Sequence, residues 1–241
     1  MEISLAAEKI PGLPITNAFL TGIVASLAII AIIGWLTRSI RRVPRKRQNF
    51  AEWMVEGFLG LVENITGNRQ KALKLLPLGL TFLIFILVNN WLGLLPGVGS
   101  IGFREVIADK ETFVPLFRSS NADLNTTLAL ALVSVAAIQY FGVGELGFKY
   151  FKKFLNFSNP IYFGIGILEA ISEAAKVISF SFRLFGNIFA GEVLIAVITG
   201  LVPFIAPLPF YGLEIFVGLI QALVFTILSL VFFHVAMEQH S

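Results

Sequence analysis

The chain has 241 residues, a length suited to one or two soluble domains, yet 56% of them are hydrophobic and only 14% are charged, against roughly a quarter charged in a typical soluble chain. Together with a mean hydropathy of +0.84 and 24 Phe, this excludes a water-soluble fold and predicts an all-α, polytopic membrane protein. The net charge of +3 does not signal nucleic acid, because the cations cluster beside apolar runs, and with no Cys and two His no metal, haem, iron–sulfur or other cofactor site is expected.

The first apolar run, residues 16–36, is followed by Arg38, Arg41, Arg42, Arg45, Lys46 and Arg47. Cations after the run make it a retained span and not a cleavable signal. The basic cluster reports topology, although anionic lipid headgroups could also bind it. Residues 50–75 mix Glu52, Glu56, Glu63, Arg69, Lys71 and Lys74 with Phe50, Trp53, Phe58 and Val62, the pattern of an amphipathic helix at the membrane surface. A second span, 76–95, begins with Pro77 in its first turn and contains Asn89 and Asn90, which suit interhelical hydrogen bonding.

Residues 97–122 are Gly-rich and charged and read as a polar loop, with Asn121 or Asp123 placed to cap a third span at 123–141. A second linker, 142–159, carries Lys149, Lys152 and Lys153. Two long segments follow, 161–201 and 210–238, separated by Pro203, Pro207 and Pro209. The first would be roughly 60 Å long as one helix, about twice the hydrocarbon thickness, so it must tilt, bend or project. No internal repeat is evident, and one membrane domain with five membrane segments is expected, the last two forming a long tilted hairpin.

Lys and Arg assign the sides. Regions 38–75 and 142–160 hold twelve, against four before the first span and in the 97–122 loop. The N-terminus is therefore expected outside, the C-terminus and both cation-rich linkers inside, with residues 50–75 on the inner surface. Those sixteen leave two of the 18 Lys and Arg, Lys176 and Arg183, both in the fourth segment.

Glu169, Glu173 and Glu192 lie in the same segment and Glu214 in the fifth. A charge near mid-bilayer costs about 2.5 to 3.5 kcal/mol on insertion scales, so these six residues are candidates for function, the alternative being structural ion pairs within the hairpin. With Arg183 as origin and about 100° per residue, Lys176, Glu169, Asn187 and Glu173 share one broad face, while Glu192 points the opposite way. In the fifth segment Gln221 and Glu214 are nearly in phase. Opposed running directions put Arg183 level with Gln221 and Glu192 level with Glu214. The outcome is two partial polar paths, one from inside through Glu169 and Glu173, one from outside through Glu192 and Glu214, separated by a permanent cation that cannot relay protons. Burial lets the carboxylates exchange them.

The run Ser181-Phe182-Arg183-Leu184-Phe185-Gly186-Asn187-Ile188-Phe189-Ala190-Gly191-Glu192 resembles the a subunits of F-type ATP synthases, bacterial type. Supporting matches are Asn121-Ala122-Asp123-Leu124-Asn125, Gln48-Asn49-Phe50, Ile167-Leu168-Glu169 and Ile220-Gln221-Ala222-Leu223. The resemblance implies a non-catalytic stator subunit of the bacterial inner membrane that conducts protons or Na⁺ through two offset half-channels. It makes Arg183 the arginine facing the c-ring carboxylates, with Gln221 and Asn187 beside it. Glu192 and Asp123 are then assigned to the outer half-channel and Glu169 to the inner one. Glu214 is a channel residue on weaker family agreement, and Glu173 rests mainly on helical phase. The implied partners are the c-ring, subunit b of the peripheral stalk, other subunits of the complex and membrane lipid. His234 and His240 read as a helix-end residue and a tail. Two other readings use the same charges. A self-contained secondary ion transporter would call for an internal repeat, and a redox-complex anchor for paired haem ligands; neither feature is found.

Overall fold

A computed structural model describes residues 7–10, 15–38, 46–95, 97–98, 101–107, 110–154, 160–203 and 205–238. Six helices account for most of them: α1 Asn17–Thr37, α2 Lys46–Thr66, α3 Arg69–Leu94, α4 Leu124–Leu146, α5 Pro160–Leu201 and α6 Pro207–Glu238. All but α2 are long and apolar enough to cross a membrane. Arg41, Arg42, Arg45 and His240 lie outside the described residues; Arg47 stacks its guanidinium over Trp35, 4.2 Å from the ring centroid, where α2 leaves α1.

The boundary between α2 and α3 falls eight residues before its expected place. Gly67 takes a left-handed conformation, φ 62°, and the Asn68 side chain accepts from the backbone N–H groups of Gln70 and Lys71 at 2.8 and 3.3 Å, capping α3 at Arg69. Pro77 therefore sits inside α3 and not in its first turn. Only the second half of α2 is packed, through Phe58, Leu59, Val62 and Thr66, whereas Phe50, Trp53, Met54 and Val55 are exposed.

The expected polar loop at 97–122 has regular structure. Strands β1 Gly102–Ile107 and β2 Lys110–Pro115 pair antiparallel, Gly102 opposite Pro115 and Ile107 opposite Lys110. Val106, Ile107, Thr112 and Val114 supply the β-branched character that favours a strand. A strap, 116–123, follows the hairpin and includes a 3-10 turn at Ser120–Ala122.

Asp123 caps α4, accepting from the Asn125 N–H at 3.2 Å. The helix continues past the expected 141 to Leu146 and ends at Gly147, φ 59°. A 3-10 segment, Gly147–Lys153, then folds back so that Tyr150, fully buried, lies on Gly142, where a Cβ would overlap its ring. At the other end of the long hairpin, Pro207 and Pro209 belong to the first turn of α6, because early helical positions need no N–H partner. With 42 residues, α5 is roughly 63 Å long.

Helices α3, α4, α5 and α6 enclose the core, α3 against α6 and α4 against both α5 and α6. Phe225 is central, with ring centroids 5.5 Å from Phe82 and 5.0 Å from Phe180. Lipid offers these side chains no hydrophobic advantage over one another, so close packing and polar contacts hold the helices. Ser134 and Ser229 meet at 2.8 Å between α4 and α6, Thr127 and Ser181 at 3.2 Å between α4 and α5, each contributing about 0.6 kcal/mol.

Candidate ion-translocation site

At the end of the bundle that carries the hairpin, the strap threads between α1, α3 and α5. The Arg118 N–H donates to Thr21 Oγ1 at 3.1 Å, Ser119 Oγ to the Asn89 carbonyl at 3.2 Å, and Ser120 Oγ to the Ala18 carbonyl at 2.6 Å. Asn121 Nδ2 donates to Ile86 O at 3.2 Å and to Asn90 Oδ1 at 2.7 Å. Asn90 then donates to the Gly218 carbonyl of α6 at 2.9 Å. Of the two asparagines of the second span, Asn90 bonds between helices, with Asn121 as a further member, whereas Asn89 Nδ2 donates to the Phe85 carbonyl of its own helix at 2.8 Å.

Arg118 anchors this layer. Its Nε donates to Glu192 Oε1 and Oε2 at 3.0 and 3.1 Å, and its Nη2 to Oε2 at 3.0 Å. The arginine is 6% exposed against 34% for the glutamate side chain, and its guanidinium lies over Phe189, 5.9 Å from the centroid. Counting cations by loop assigns Arg118 to topology and misses this role. The available signal is its isolation: Leu116, Phe117, Ser119 and Ser120 around it carry no charge.

One layer deeper, Glu214 is buried against Gly191 of α5, where any Cβ would overlap its carboxylate. Glu192 and Glu214 are thus level to within one residue, as expected, but it is Gly191 that faces Glu214 while Glu192 turns to Arg118. Nearer mid-depth, Asn187 Nδ2 donates to Gln221 Oε1 at 2.6 Å. Counting along the helices predicts Arg183 level with Gln221, but Asn187, one turn along, makes the bond. Phase and depth counted from sequence do not fix how far one helix slides along another.

Arg183 stands apart from these pairs. It is exposed, and its Nη2 donates to Ser179 Oγ at 3.1 Å. Among the described residues no carboxylate lies within ion-pair distance of it. Toward the opposite end of α5, Lys176 pairs with Glu173 at 3.0 Å and lies over Phe232, 4.7 Å from the centroid; Glu173 is buried and Glu169, one turn away, is half-buried. Asp123 is buried and also accepts from Asn125 Nδ2 at 3.2 Å. His234 pairs with Glu238 at 3.3 Å near the end of α6.

The arrangement therefore joins Glu192 to Arg118, Glu214 to Gly191 and Asn187 to Gln221 in successive layers, and sets Glu169 and Glu173 at the far end. It leaves Arg183 on the surface of α5. No described group of His and carboxylate side chains could hold a metal ion. The chemistry available is proton exchange at carboxylates and attraction of an anion by an unpaired guanidinium.

A family model described as ATP synthase A chain matches residues 19–234. ATP synthase subunit a of Campylobacter jejuni strain RM1221 is 37% identical over 218 residues, covering 89% of this chain and 86% of its own. The same-named protein of Campylobacter jejuni subsp. doylei is also 37% identical over the same shares. The chain belongs to the ATP synthase subunit a family, the non-catalytic, proton-conducting, multi-pass membrane stators of the Fo sector.

Proposed function

We propose that the chain conducts protons along two offset half-channels that meet a c-ring at Arg183. The observation that carries this is Arg183 itself. An arginine in the apolar middle of a membrane helix costs several kcal/mol unless an anion or water meets it, and among the described residues only a serine hydroxyl of its own helix bonds it. A carboxylate from a neighbouring ring satisfies that demand from outside the chain. The exposed Ile171, Ile178 and Phe182 on the same helix supply the apolar surroundings of such a contact.

The hairpin-end half-channel runs from Glu192 past Glu214 to Gln221 and Asn187, with Asp123 at its side. Asn121 Oδ1, Asn89 Oδ1 and Gln221 Nε2 are buried without a protein partner, and buried polar atoms of this kind take their hydrogen bonds from water. The second half-channel opens past Glu169 and Glu173. On this reading the hairpin end faces outward from the bacterial inner membrane and the C-terminus lies in the cytoplasm. Subunit b of the peripheral stalk and lipid cover other faces.

A proton entering at the hairpin end neutralises a ring carboxylate, travels with the ring and leaves by the second path. Arg183 holds the deprotonated carboxylate in between and repels protons that would cross directly. The test is ATP-driven pumping by the reconstituted complex carrying Arg183→Ala. Pumping is expected to vanish, and coupled pumping at the wild-type rate would refute the assignment.

A further inference from the structure

The family match begins at residue 19, so the segment before α1 lies outside what that comparison assigns. Backbone pairing holds residues 8–10 against residues 15–17. The Asn17 N–H donates to the Glu8 carbonyl and the Ile10 N–H to the Ile15 carbonyl, both at 3.0 Å; Lys9 and Thr16 form an antiparallel bridge between them, and Ile10 is buried. This doubling-back sets Glu8 beside Asn17, whose Nδ2 donates to the Pro115 carbonyl at 3.1 Å, three residues before Arg118, so the Glu8 carboxyl lies within the field of the Arg118–Glu192 pair.

The surroundings of the Glu8 carboxyl are unusual for a residue near a chain end. Its Oε2 is buried and has no hydrogen-bond partner among the described residues. Burial pushes the carboxyl above the usual carboxylate range, Arg118 draws it back, and Glu192 pushes it further up. Those two are the described charged groups that act on it, one from the strap and one from α5. A carboxylate placed for structure alone would satisfy its oxygens with local donors, whereas here Glu192 takes both Nε and Nη2 of the arginine.

We propose that Glu8 is a proton-relaying carboxylate at the hairpin-end mouth of the path, passing protons between bulk water and Glu192. In the step, the O–H bond of neutral Glu8 breaks and one forms on a Glu192 oxygen; Glu8 becomes the anion and recovers a proton from water. Arg118 pairs with Glu192 and its charge also acts on Glu8, so the transfer does not strand an uncompensated anion. A relay works best when its pKa lies near the working pH, the direction in which burial moves Glu8.

This inference rests on the half-channel reading above, and the experiment separates the two. The chain has no cysteine, so Glu8→Cys introduces its single thiol, and the assembled complex can be compared before and after modification in detergent. ATP synthesis driven by an imposed gradient is then measured in proteoliposomes. Glu8→Cys is expected to slow synthesis about fivefold, equivalent to about 1 kcal/mol. The deficit should grow as pH on the uptake side rises, because bulk protons then become scarce and a carboxyl that burial keeps protonated is the group the variant has lost. Carboxyethyl methanethiosulfonate, which restores a carboxylate, should recover the rate, and the neutral methyl reagent should not. A wild-type rate in unmodified Glu8→Cys, failure of the carboxyethyl reagent, or equal recovery with both reagents would overturn the assignment. Glu192→Gln and Glu214→Gln are run in parallel. If both of these synthesise at the wild-type rate, the half-channel reading itself falls; if they are slow and Glu8→Cys is not, only the role of Glu8 does.

Discussion

Gly191→Ala separates ion conduction from stability. Gly191 faces α6, and a methyl group there would overlap the Glu214 carboxylate. The obstructing atoms are the tip of a flexible side chain, so Glu214 can swing aside at a rotamer cost of about 0.5 to 1.5 kcal/mol. Replacing a helical glycine by alanine returns about 0.8 to 1 kcal/mol of helix propensity. The two effects oppose and nearly cancel, so the thermal stability of the assembled complex should change by less than about 1 kcal/mol. Conduction has no such compensation. A displaced Glu214 no longer lies between the Arg118–Glu192 pair and the Asn187–Gln221 pair, and misplacement of about 1 Å in a reacting group can cost a hundredfold. ATP-driven pumping should therefore fall by about ten- to a hundredfold at unchanged stability. Gly144→Ala is the control, since a Cβ there meets nothing within 4 Å, and it should be silent in both assays. Wild-type pumping in Gly191→Ala, with the alanine verified in the assembled complex, would refute the claim that Glu214 must occupy this position.

Arg118→Gln removes both prongs of the contact with Glu192. Because Glu192 is about a third exposed, water compensates part of the loss, and destabilisation of about 1 to 3 kcal/mol is expected in thermal unfolding of the complex; Arg118→Lys, which keeps the charge but not the fork, should fall between. Gly142→Ala drives a methyl into the ring of buried Tyr150, an overpacking cost of about 1 to 3 kcal/mol, visible as faster proteolysis at residues 147–153 with pumping intact in the surviving complex. Photo-crosslinkers at Ile178 and Phe182, exposed near Arg183, should capture a c subunit; adducts to lipid alone would contradict the placing of that face.

Much of this architecture is legible in the sequence because membranes impose strong rules. Apolar length marks the five spans, and removing the cations that flank them leaves Lys176 and Arg183. What stays hidden follows from local or relational chemistry. The joint at Gly67 and Asn68 is written in two residues inside an amphipathic stretch, and a hydropathy window averages over it. The strands in 102–115 are short, and their charged residues mimic a loop. The contacts of Gly191 with Glu214 and of Asn187 with Gln221 depend on sliding between helices, which neither phase nor composition specifies. Arg118 escapes notice for a different reason. A cation in a loop is normal, and only the fold reveals that this one is buried beneath a carboxylate from 74 residues further along the chain.

The strap also imposes an order on how the molecule is made. Ser120 and the Arg118 N–H find their partners in α1, and Ser119 and Asn121 find theirs in α3, all within chain that is made before α4. The Arg118 guanidinium waits for Glu192 of α5, and Asn90 waits for the Gly218 carbonyl of α6. A nascent chain halted after α4 therefore lacks the α5 carboxylate that pairs with its arginine and the α6 carbonyl that Asn90 bonds, polar groups that membrane interiors penalise. Arrival of the C-terminal pair closes both gaps, so a half-made subunit differs chemically from a finished one at Arg118 and Asn90.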